Sequence, residues 1–179
     1  MDIKAIETVY NGYRFRSRLE ARWAVFFDAA GIKYEYEPEG FVMSDGTKYL
    51  PDFYLPEIKT FFECKGIMSE FDQHKVDMFV KESGYAVVIG YQDMTFCASD
   101  VWWDECFTLT TKDNSALMRC TECGKVQFMG LSGSWQCRCC GAYDGNSYVD
   151  WICNGDEESV YFYPLVKAKQ ARFEHGERW

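Results

Sequence analysis

Two copies of one short pattern, Cys120-Thr-Glu-Cys123-Gly and Cys137-Arg-Cys-Cys140-Gly, stand thirteen residues apart. Two thiolates on a turn that glycine lets close present sulfur to a single tetrahedral ion, and two such pairs at this spacing make a four-cysteine zinc site. Cys120, Cys123, Cys137 and Cys140 are therefore the expected ligands of one structural Zn²⁺. Four thiolates close the coordination sphere and leave no position for water. Cys139 competes with its neighbour, but Cys140 keeps the knuckle spacing and precedes Gly141. Cys64, Cys97, Cys106 and Cys153 read as core fillers.

Nine cysteines are an odd number, and residues 1–10 carry no basic stretch followed by an apolar block. A secreted disulfide framework is thus not expected, and a cytoplasmic location is. The longest apolar runs, such as residues 85–89, fall far short of the ~18 residues of a membrane span, so no membrane partner is expected. A hydrophobic share of 47% with 18% aromatics excludes a disordered chain. The net charge of −9 excludes a generic basic nucleic-acid coat. Any phosphate contact must come from a local patch or a bound cation.

Along the chain, residues 15–30 place Leu19, Trp23, Phe26 and Ala30 on one helical stripe, with Ser17 to cap its start and Gly31 to end it. Three β-rich runs follow at 33–42, 48–55 and 59–65, with turn signals at Glu37-Pro38-Glu39-Gly40, Ser44-Asp45-Gly46 and Pro56-Glu57. Residues 70–82 predict a second helix stopped by Gly84. Residues 85–90 predict a short strand buried on both faces. The expected organisation is a core at 1–95 in the order αβββαβ, a connector at 96–116, the cysteine module at 117–143, and a β-hairpin with a polar tail at 144–179. The connector holds Trp102, Trp103 and Phe107 without an assignable pattern. The C-terminal hairpin is expected to pair 147–153 with 159–165 around Asn154-Gly155.

Chemistry converges in the core. Asp52 follows Pro51 in one β run, Glu63-Cys64-Lys65 ends the next, and Glu20 lies on the preceding helix. Side chains alternate along a strand, so Glu63 and Lys65 share a face while Cys64 points away. A tight connection sets Asp52 beside Glu63. Converging carboxylates repel unless a cation neutralises them, and an all-oxygen set suits Mg²⁺ or Mn²⁺. Such an ion polarises a phosphoryl oxygen and acidifies bound water. Lys65 would position or deprotonate that water and stabilise developing negative charge. These are the parts of a phosphodiesterase.

The same residues carry a resemblance. The helix–strand stretch FRSRLEARWAVFFDAAGIKYEYEPEGF, followed by YLPDFYLP and FFECKG, resembles the PD-(D/E)xK nuclease superfamily, and in particular its small phage and prophage members. The resemblance spans residues ~13–91. It implies an α/β, restriction-endonuclease-like core with a mixed central sheet. It also implies a metal-dependent nuclease, with DNA as the expected substrate. Carried over, it makes Asp52 and Glu63 ligands of Mg²⁺ or Mn²⁺, adds the Cys64 backbone carbonyl, makes Glu20 a direct or outer ligand, and makes Lys65 the catalytic lysine.

Arg14, Arg18 and Arg22 recur every four residues as a candidate phosphate-binding stripe. Lys75 is a further candidate substrate contact on the second helix. The cysteine module resembles a zinc ribbon, which would bind either nucleic acid (through Arg119, Lys125, Arg138 and Trp135) or a protein partner. The rival expectation is a non-catalytic phage-type binding or inhibitor protein on a nuclease-like scaffold, engaging a partner through its acidic surface. The residues leave open DNA against RNA, and a monomer against a homodimer that pairs two sites for a double-strand break.

Overall fold

The computed structural model describes residues 5–101, 107–109, 115–130, 136–143, 149–152 and 162–173. The first element is a hairpin of β1 (Thr8–Tyr10) and β2 (Tyr13–Phe15). Asn11 and Gly12 both take positive φ, 47° and 83°, as a two-residue turn of the right hand for a hairpin requires. Helix α1 (Arg18–Ala30) therefore starts three residues later than periodicity suggests, because Phe15 belongs to β2 and Ser17 is the N-cap. Gly31 closes it at φ 69°, donating its N–H to the carbonyls of Phe27 and Asp28.

The two expected strands at 33–42 and 48–55 each divide. The first gives β3 (Glu35–Tyr36) and β4 (Phe41–Val42), because Glu37 at φ 45° precedes a proline. The second gives β5 (Lys48–Tyr49) and β6 (Phe53–Leu55), because Pro51 has no N–H for a ladder. β4 and β5 form a hairpin of their own. Then come β7 (Thr60–Lys65), α2 (Glu70–Ser83) and β8 (Ala86–Tyr91). α2 opens with a reciprocal capping box between Ser69 and Asp72 and stops at Gly84, φ 72°.

Residues 96–116 are more than a connector: they contain β9 (Phe96–Val101), β10 (Phe107–Leu109) and the start of β11 (Ser115–Cys120). The central sheet has the order β10-β9-β8-β7-β6-β3. It is mixed, with β7 and β8 parallel across the α2 crossover and its other pairs antiparallel. The chain is thus a mixed α/β protein. A second sheet, β12-β11-β13, adds β12 (Val126–Gly130) and β13 (Val149–Ile152).

β13 pairs with β11, and residues 162–165, expected in a strand, begin helix α3 (Phe162–Gln170). Pro164 is at home in a first helical turn and out of place inside a strand. The Asn154-Gly155 turn lies outside the described residues, as do Trp102, Trp103 and residues 131–135 of the expected ribbon hairpin. Among the described residues, no helix is long and apolar enough to cross a membrane.

Each face of the central sheet is covered. On one side Phe61, Val87 and Ile89 pack with Tyr49, Val76, Phe79 and Val80 of β5 and α2. On the other, Phe53, Phe62 and Val88 pack with Trp23, Phe26 and Phe27 of α1, and the small Ala168 lets α3 lie close on α1. Gly90 is required there, since a Cβ would overlap the rings of Phe62 and Trp23. Phe128 of β12 enters the same core, its ring 5.5 Å from that of Phe62 and 4.9 Å from that of Phe96. The cysteine-bearing sheet therefore shares the core of the αβββαβ unit.

Candidate active site and metal centre

The β6–β7 register pairs Phe53 with Phe62, so Asp52, one residue before β6, stands opposite Glu63. Asp52 and Glu63 are both buried. Oδ2 of Asp52 accepts the Cys64 N–H at 2.7 Å, and Oδ1 accepts Nη2 of Arg16 at 2.8 Å. Glu63 accepts the Tyr49 hydroxyl at 3.2 Å and pairs with Lys65 at 2.9 Å. Lys65 also pairs with Asp72 at 2.9 Å, so its ammonium bridges the β7 carboxylate and the N-terminal cap of α2. The alternation of β7 brings Glu63 and Lys65 together, and the antiparallel turn brings in Asp52.

The charges respond to this crowding. Burial and then the neighbouring Glu63 push the Asp52 carboxyl well above its ordinary value, against the opposing Cys64 N–H. Burial works against the Lys65 ammonium, but Glu63 and Asp72 outweigh it and hold the lysine above its ordinary value. Burial would raise Asp72, but the Ser69 hydroxyl and Lys65 overcome it and pull the carboxyl down. Burial and Glu63 drive the Tyr49 phenol well up, so it remains a hydrogen-bond donor.

Glu20 is buried beside this group and engaged by its own neighbours. Its Oε2 accepts the Tyr36 hydroxyl at 2.6 Å and the Arg16 N–H at 3.0 Å, and its Oε1 accepts the Ser17 hydroxyl at 2.7 Å. The Ser17-x-x-Glu20 spacing is a capping-box signature that was readable in the sequence. The arginines do not form the expected helical stripe. Arg14 lies on β2 and pairs with the exposed Glu7 at 3.8 Å, while Arg18 and Arg22 lie one turn apart on α1. Lys75 sits 3.5 Å from Asp72, its ammonium 5.3 Å from the centre of the Phe71 ring and 5.8 Å from that of Tyr49. Arg16, Tyr36, Tyr49 and Asp72 were not among the sequence candidates. The contacts that bring Arg16 to Asp52, Tyr36 to Glu20 and Tyr49 to Glu63 are long-range, and only the Ser69-x-x-Asp72 capping spacing was a local signal.

The sulfur atoms of Cys120, Cys123, Cys137 and Cys140 lie within 4.8 Å of one another, a cluster that could hold a metal ion such as zinc. Cys139 is exposed and outside it. Each knuckle closes with a glycine at positive φ, Gly124 at 72° and Gly141 at 75°, whose N–H bonds the carbonyl of Cys120 or Cys137. The fully buried Gln127 donates to Cys137 Sγ at 2.9 Å and accepts the Arg138 N–H at 3.0 Å. Burial raises the Cys137 thiol, but the N–H groups of Cys140 and Cys139 and the Gln127 amide bring it down to about 7. Lys125 is paired with Glu57, and Arg138 donates to Thr60 Oγ1 at 3.4 Å, so both side chains tie the cluster to the β6–β7 hairpin.

Among the described residues, this quartet is the only set of three or more His, Cys, Asp or Glu ligand atoms gathered so closely. Glu20, Asp52 and Glu63 do not converge to that degree, and the guanidinium of Arg16 and the ammonium of Lys65 lie against two of them. No protein-family model, curated protein or solved structure matches this chain.

Proposed function

We propose that the protein is a metal-dependent nuclease acting on DNA as an endonuclease. One observation carries the reading: two buried carboxylates, Asp52 and Glu63, face each other across β6 and β7, with a lysine two residues on held beside them. Two charged groups so placed are costly to a fold, and Arg16 and Lys65 offset part of that cost where a divalent ion would offset more. Asp52, Glu63 and the Cys64 carbonyl would hold Mg²⁺ or Mn²⁺, which suits an all-oxygen donor set. Such an ion activates water and polarises the phosphodiester.

The chain's own residues supply the rest. Lys65, held between Glu63 and Asp72, would place a positive charge toward the phosphate. Tyr49 orients Glu63, and Glu20 positions the Arg16 backbone and Tyr36. Lys75 and Arg18 would contact the flanking phosphates. The four cysteines hold a structural Zn²⁺ that braces the core through Lys125 and Arg138.

The test is digestion of labelled linear, circular and single-stranded DNA with and without Mg²⁺ or Mn²⁺, beside Asp52→Asn and Glu63→Gln. Metal-dependent cutting lost in both variants supports the reading. No cutting by the folded, zinc-loaded protein would favour the scaffold alternative, a binding or inhibitor protein.

A further inference from the structure

The two oxygens of Asp52 are held differently. Oδ2 is fixed from inside by the Cys64 N–H, so Oδ1 is the oxygen turned to an arriving cation, and that oxygen is held by Arg16. Arg16 has a fixed root and a half-exposed head. Its backbone N–H is bound by Glu20 Oε2 and by the Tyr36 hydroxyl, both at 3.0 Å. Its side chain is 54% exposed, while Asp52 behind it is buried. The guanidinium also pairs through Nε with Glu37, which tethers it at the mouth of the site.

We infer that Arg16 is a positioning residue with two stations. Without a divalent cation it is the counter-ion of Asp52. Once a cation takes Oδ1, the guanidinium turns outward, still tethered by Glu37, and its planar fork binds a phosphate oxygen of the substrate. This rests on the nuclease reading above and adds to it a device that couples metal loading to substrate capture. The geometry explains why Glu20 and Tyr36 converge on one backbone N–H, with Ser17 holding the other oxygen of Glu20: they fix the pivot about which the side chain moves.

Two opposite shifts follow. With Arg16→Gln a cation no longer competes with, or is repelled by, a guanidinium, so Mn²⁺ should bind the zinc-loaded protein roughly tenfold more tightly. Removal of one charge-assisted contact should weaken binding of an uncut DNA oligonucleotide, held with Ca²⁺, by a similar factor. Mn²⁺ binding is read by electron paramagnetic resonance and DNA binding by fluorescence anisotropy. Equal or weaker Mn²⁺ binding, or unchanged DNA binding, in Arg16→Gln overturns the inference. The wild-type protein gives a readout independent of any folding defect. Titration with Mg²⁺ should shift the side-chain ¹⁵Nε resonance of Arg16, and an unmoved signal while Mg²⁺ binds also overturns it. If wild type and Asp52→Asn bind Mn²⁺ alike, the nuclease reading itself has failed. If binding depends on Asp52 but not on Arg16, only the two-station role has.

Discussion

Replacing Phe128 with alanine separates a cysteine module that merely hangs from the core from one that is part of it. Phe128 belongs to β12, between the two knuckles, yet its ring is fully buried against Phe62, Phe96 and Phe26. Loss of a buried phenylalanine costs about 3–5 kcal/mol, the transfer of the ring plus the cavity it leaves. The surrounding rings are rigid and leave little scope for collapse, which favours the upper half of that range. A typical domain has only about 5–15 kcal/mol in total, so Phe128→Ala should fold marginally. The assay is urea unfolding of the zinc-loaded protein, followed at once by tryptophan fluorescence and by a colorimetric zinc indicator. Wild type should show one transition with coincident zinc release. The variant should move its midpoint sharply down with both signals still together. A shift equivalent to less than about 1 kcal/mol, or zinc release well separated from core unfolding, would refute the shared core, because a surface substitution costs no more than that.

Four further outcomes are expected. Gly90→Ala should destabilise by about 1–3 kcal/mol, measured by the same melts, because its methyl would overlap Phe62 and Trp23; a neutral result would contradict the packing. Asp52→Asn should raise the melting temperature at pH 7 without added Mg²⁺, since a carboxyl held above its unfolded value costs stability once the pH exceeds that value; a lower melting temperature would argue against the crowding. Asp72 behaves oppositely: held down by Ser69 and Lys65, it contributes stability present above about pH 4 and lost as the pH falls further, so Asp72→Asn should flatten the acid limb of the stability profile. Zinc removal by a strong chelator should lower the melting temperature of the whole chain; an unchanged melt would count against a structural ion.

Much of this arrangement was legible in the residues. The caps Ser17, Gly31 and Gly84 mark helix ends by local chemistry. The alternation of Glu63 and Lys65 with Cys64, and the proximity of Asp52, follow from strand geometry. The cysteine spacing alone brings four sulfurs together. What escaped depends on contacts between distant residues. Nothing near Arg16 announces Asp52, and nothing near Phe128 says that its ring crosses from one sheet into the core of another. The strands at 33–42 and 48–55 broke where a positive φ at Glu37 and the missing N–H of Pro51 overrode β propensity. At the C-terminus the Asn154-Gly155 signal drew residues 159–165 into an expected strand, although Pro164 and the helix formers after it argued for α3.

The proposed phosphodiesterase site rests on Asp52, Glu63 and Lys65. Its most direct test is the single-turnover rate of DNA cleavage in Mg²⁺ by wild type and by Lys65→Ala, both zinc-loaded and both folded by circular dichroism. The account predicts a loss on the order of a hundredfold or more, the usual effect of removing a charge aimed at the transition state. Equal rates in the two proteins would contradict it.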